Sequence, residues 1–143
     1  MHRLPSMLFT ATLATVAVLG GCATDKMRSK TTLLDETLQS YAATIRWGEV
    51  AQALNFVEPK TLAEHPPTQL ELDRFRQVRV TGYNEQPVVP VSENEMHQTV
   101  QIELVNVNTQ SARSVVDRQV WKYDEAGKRW WLTTGLPDIA RHD

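Results

Sequence analysis

Near Phe75 the spacing of apolar residues changes from three and four to two, and that switch limits the fold more than any other feature of the chain. Before it, Leu34, Leu38, Tyr41 and Ile45 recur at +4, +3 and +4, the repeat of one helical face. After it, Val78 and Val80 alternate with Arg79 and Thr81, and Val100, Ile102 and Leu104 alternate with Gln101 and Glu103, as in half-buried strands. Helices gathered in front and strands behind give an α+β domain, with N-terminal helices packed on one face of a curved antiparallel sheet.

Local signals set the expected boundaries. Thr31 and Thr32 offer an N-cap, and Asp35 and Glu36 place carboxylates at the positive end of a helix dipole, so a first helix is expected from about 32 to 47. Gly48 suits its C-cap, and Val50, Ala51, Leu54 and Val57 start a shorter second helix that ends before Pro59. Residues 60–72, with Pro66-Pro67, read either as a loop or as a third short helix around Gln69–Arg74. The two prolines of Gln86–Val91 fit only an edge strand or a loop. Ala112–Tyr123 and Arg129–Thr134 form a final hairpin, with Gly127 supplying a positive φ in a bulged turn.

These turns fix an expected register, in which Trp121 faces Trp131, Val120 faces Leu132, Leu104 faces Val115 and Ile102 faces Asp117. One face then carries Val100, Ile102, Leu104, Val115, Trp121, Tyr123 and Trp131, interrupted by Asp117 and Gln119, and is the face to lie under the helices. The other carries Val116, Val120, Trp130 and Leu132 among polar residues. An outward apolar patch of that kind marks a homodimer or partner interface, with the C-terminal tail, 136–143, as its rival cover.

The front of the chain carries an address. His2 and Arg3 precede an apolar run from Met7 to Leu19, about 13 residues against the roughly 20 that a membrane span needs, which is the layout of a secretory leader. The motif Leu19-Gly20-Gly21-Cys22 resembles a bacterial lipobox, although Gly20 is less usual there than Ala or Ser. The resemblance implies removal of residues 1–21 and acylation of Cys22, the only cysteine, as a durable membrane anchor. Ala23 stands where an aspartate would signal inner-membrane retention, so the implied site is the outer membrane, facing the periplasm. With Cys22 acylated, no disulfide can form and the core must hold the fold. Residues 22–30 read as a flexible lipidated tether, and 31–135 as the single domain.

Of 15 Lys and Arg, one, Arg3, leaves with the leader, and the rest face 17 scattered Asp and Glu. That balance argues against nucleic acid, which demands a basic face. Metal sites need three or four converging ligands. His65, His97 and His142 lie in a loop, a strand start and the tail, with no such spacing, and no cofactor is implied.

Tyr41–Val57 and Arg118–Leu132 resemble the helix, Gly-acid break, second helix and last hairpin of the nuclear transport factor 2-like superfamily, over about residues 31–135. The resemblance implies a cone-shaped fold whose enzymes work inside the cone with Asp, His or Tyr. Asp117 is the only inward carboxylate in the expected register, and in an apolar pocket it would suit a general base. The competing reading is an ordinary pairing with Gln119, a backbone amide or an arginine. Trp121, Tyr123 and Trp131 are candidates to stack a flat ligand, although a cross-strand aromatic cluster is more often core. No complete acid and base set is present. The sequence therefore points first to a non-catalytic binding or scaffold domain for a protein partner or a small apolar ligand, and second to an isomerase- or dehydratase-like enzyme with Asp117 as base.

Overall fold

The computed structural model describes residues 22–48 and 50–140; the expected leader and the last residues of the tail, His142 among them, lie outside these. Helices come first and strands follow, as the change of period requires. Helix α1 is Cys22–Arg46, α2 is Val50–Ala53 continued by a 3-10 turn over Leu54–Phe56, α3 is Pro59–Glu64 and α4 is Gln69–Arg76. The strands are β1 Val78–Glu85, β2 Val89–Ser92, β3 Glu95–Asn106, β4 Ala112–Asp124 and β5 Arg129–Leu132. They form one curled antiparallel sheet in the order β1-β3-β4-β5, with β2 also paired to β3. Together β1 and β2 act as one edge strand, interrupted at 86–88 beside Pro87, and Pro90 sits on that edge where no ladder donor is needed.

Helix α1 begins at Cys22, ten residues before the expected start at 32, so the stretch read as a flexible tether has helical backbone. The helix ends where expected, with Gly48 at φ 76° and its N–H donating to the Ile45 carbonyl. Residues 60–72 hold most of one short helix and the start of another. Pro59 opens α3 at a position whose N–H would have no partner. Thr68 and Glu71 close a reciprocal capping box at the start of α4, with Thr68 N–H donating to Glu71 Oε2 at 2.7 Å and Glu71 N–H to Thr68 Oγ1 at 3.2 Å.

Leu34, Leu38, Tyr41 and Ile45 of α1 are all buried against Val100, Ile102, Leu104, Val115 and Trp121 of the sheet, as the two periods predict. Helix α1 touches both β1 and β5, so it spans the inner face of the curl. The β3–β4 register places Ile102 opposite Val115 and Leu104 opposite Arg113, two residues from the expected pairing. A slip of two keeps every side chain on its face, so the inward set of these strands is as expected.

The final hairpin differs by one residue, and there the faces reverse. Trp121 pairs with Leu132, Lys122 with Trp131 and Tyr123 with Trp130. The loop holds four residues between Asp124 and Arg129, and the positive φ falls on Lys128 (50°) instead of Gly127. Gly127 instead lets the Asp124 carboxylate approach: a Cβ there would lie 2.6 Å from Asp124 Oδ2, which would have to swing away. The extra loop residue turns Trp130 and Leu132 into the core, at 1% and 0% exposure, and turns Trp131 out. Trp131 is half-buried beneath the Arg129 guanidinium, 3.6 Å from its ring centroid. The expected outward patch thus loses Trp130 and Leu132, and Trp131 joins the half-buried Val116 and Val120 there.

The described part of the C-terminal tail, residues 136–140, packs elsewhere. Pro137 and Ile139 are buried, Leu136 packs on the core, and Arg113 Nη2 donates to the Ile139 carbonyl, which ties the segment to the start of β4.

Candidate functional site

Three consecutive inward positions of β4 carry Asp117, Gln119 and Trp121, and the structure links them into one file. Gln119 Nε2 donates to Asp117 Oδ2 at 2.8 Å and to Tyr83 Oη at 3.1 Å, while its Oε1 accepts from Trp121 Nε1 at 3.0 Å. Gln119 is 1% exposed and Asp117 is 8% exposed. Of the residues expected on this face, Asp117, Gln119 and Trp121 are brought together. Tyr123 lies further along β4, half-buried against Trp130 with centroids 5.2 Å apart, and Trp131 is on the other side of the sheet.

Three neighbours come from other elements, and of these only Gln98 follows the alternation, two residues before Val100. Tyr83 points inward because a bulge between Val80 and Gly82 shifts the register of β1; Gly82 is the sequence mark of that bulge, since a Cβ there would meet Glu103 Oε2 at 2.7 Å. Tyr41 fits the apolar face of α1 by its ring, which packs edge-on against Phe56 and Trp121 with centroids 5.5 and 5.3 Å away. Gln98 stands opposite Gln119 and donates to the Gln86 carbonyl at 3.3 Å. The hydroxyl of Tyr41 and Oε1 of Gln98 are buried without a hydrogen-bond partner.

The electrostatics follow from burial. Removal from water pushes the Asp117 carboxyl up to about 6, and the Gln119 hydrogen bond only partly opposes this. Burial also raises Tyr41 and Tyr83, with the Asp117 charge adding to the effect, so both phenols stay protonated. A carboxyl titrating near neutrality beside two neutral phenols can accept or donate a proton. It is, however, buried and engaged by Gln119.

A groove of about 640 Å³ runs between the 3-10 turn, α3, α4 and residues 133–140. Leu54, Leu62, Leu72, Phe75 and Leu136 supply its apolar lining, and Glu64, Glu71, Arg74 and Asp138 its charges. Its size is within the roughly 300–1,000 Å³ of small-ligand sites. Asp117 is not among its lining residues. The sequence names Leu54 and Phe75 only as pattern positions and leaves a helix around Gln69–Arg74 as one of two readings; the capping box of Thr68 and Glu71 is the signal that favours that helix.

Among the described residues, no group of three or more His, Cys, Asp or Glu is placed to hold a metal ion, and no helix is long and apolar enough to cross a membrane. His97 Nε2 contacts Glu95 Oε1 at 2.8 Å on β3, which is paired on both sides there. No protein-family model matches the chain, and no curated protein is significantly similar to it.

Proposed function

We propose that this chain is a lipid-anchored protein of the bacterial envelope, held by Cys22 in the outer membrane and facing the periplasm. Its domain is of the nuclear transport factor 2-like kind and binds a protein partner or a small apolar ligand without turning it over. The curled sheet with helices on its inner face is compatible with that cone. One observation carries the binding role: Asp117 does not line the groove between α3, α4 and residues 133–140. Asp117 is enclosed and hydrogen-bonded to Gln119, whereas the open groove between α3, α4 and residues 133–140 has an apolar lining. Leu72→Glu should abolish retention of the bound ligand or partner by the detergent-extracted full chain, and Asp117→Asn should leave it intact. The reverse pattern would overturn the reading.

A second reading is favoured by the elevated Asp117 carboxyl beside Tyr41 and Tyr83: an isomerase- or dehydratase-like enzyme with Asp117 as general base. In that case Asp117→Asn abolishes turnover of the substrate.

A further inference from the structure

We infer that α1 is a rigid stalk that fixes which end of the domain faces the membrane. This rests on the proposal that Cys22 carries the lipid. The helix is unbroken from Cys22 to Arg46, and its second half is buried in the core. Its point of exit is fastened at Lys30. The Lys30 carbonyl accepts from Trp130 Nε1 at 3.0 Å, and its ammonium donates to Asn94 Oδ1 at 2.8 Å, pairs with Glu125 and lies 4.7 Å from the centre of the Tyr123 ring. Asn94 belongs to the β2–β3 turn and Glu125 to the β4–β5 turn. One residue of the helix thus locks onto both turns at one end of the sheet, and Lys30 is only 12% exposed at its side chain.

The dimensions follow from this. Eight residues separate Lys30 from Cys22, about 12 Å at 1.5 Å per helical residue. The β4 strand runs from Ala112 to Asp124, about 40 Å at roughly 3.4 Å per residue. The β2–β3 and β4–β5 turns therefore stand close above the bilayer, and the β3–β4 turn around Asn108 stands far from it. The near turns expose Glu93, Glu125 and Lys128, which form no cationic patch to adhere to anionic lipid. The stalk, and not the surface of the domain, sets the distance. Arg113 ties residue 139 to the start of β4, and α4 leads into the start of β1, so the groove lies toward the far end. Its occupant arrives from the aqueous side.

The test uses the full lipidated chain in vesicles of phosphatidylethanolamine and phosphatidylglycerol with an acceptor dye on the headgroups. Because the Cys22 thiol is acylated, a donor can be placed on Ala126→Cys or on Asn108→Cys alone. Energy transfer should be several-fold stronger from position 126 than from position 108. Inserting Gly-Ser-Gly-Ser after Arg28 should level the two. Equal transfer without the insertion, or a contrast that survives it, would overturn the stalk. Protein that stays in the aqueous phase with no transfer from either position would overturn the anchor itself.

Discussion

Replacing Asp117 by Asn should make the protein more stable at neutral pH, although it removes a residue from the most polar part of the core. Burial holds the folded-state carboxyl at about 6 against an ordinary value of 3.8, so folding favours the protonated form. Below about pH 4 both states carry the proton and the cost is absent. Between about 4 and 6 the unfolded chain has released a proton that the fold retains, so stability falls as pH rises through this window. Above 6 the full cost is present. At 1.36 kcal/mol per pH unit it amounts to about 3 kcal/mol. Asn has the same shape and keeps an acceptor for Gln119 Nε2, which donates to Asp117 Oδ2 at 2.8 Å. Its new N–H₂ lies diagonally across from Gln98, whose Oε1 is a buried acceptor without a partner. At roughly 4 °C per kcal/mol for a domain of this size, the melting temperature should rise by about 12 °C at pH 7.5 and change little at pH 4. Thermal unfolding followed by circular dichroism at the two pH values measures this. A lower melting temperature at pH 7.5, or a gain independent of pH, would refute the argument that Asp117 is a desolvated, uncompensated charge.

Trp130→Ala should cost about 3–5 kcal/mol in a denaturant titration, because a 1% exposed indole leaves a cavity. Trp131→Ala loses chiefly the Arg129 contact and should cost no more than about 1 kcal/mol; equal costs would contradict the register of the last hairpin. Cys22→Ser should stop palmitate labelling and leave unprocessed or soluble protein, and a mature wild-type form of unmodified mass would exclude the anchor. If Val116, Val120 and Trp131 form a self-association surface, light scattering on the unlipidated domain should show a dimer that Trp131→Glu converts to a monomer, and a wild-type monomer at all accessible concentrations would rule it out.

The change of apolar period reveals the architecture because it depends only on composition at fixed spacing, and α1, β3 and β4 present the faces that this spacing dictates. The turn chemistry is harder to read. In the last hairpin Gly127 could serve either the left-handed region or the close approach of Asp124, and the sequence does not distinguish the two roles. That single ambiguity moves Trp130 and Leu132 from the surface to the core. The file around Asp117 was legible as far as β4 itself supplies it, through Gln119 and Trp121. Tyr83 and Tyr41 join it through a bulge and a helix packing angle, which are tertiary facts. The groove between α3, α4 and residues 133–140 was not legible as a groove, although a helix around Gln69–Arg74 was one reading of its wall, since its walls are brought together from segments some 60 residues apart in the chain.

The separation of an enclosed carboxyl from an open groove is the core of the functional account, and one measurement addresses it directly. A photoreactive benzoyl-phenylalanine placed at Leu72 in the groove, and separately at Trp131 on the outer sheet face, can be activated in the membrane-anchored full chain. The account predicts a discrete adduct from position 72, at most a cross-link between two copies of the chain from position 131, and the same adduct from position 72 when Asp117 is replaced by Asn. Loss of the adduct on Asp117→Asn, with the variant still folded, or an adduct from position 131 alone, would contradict it.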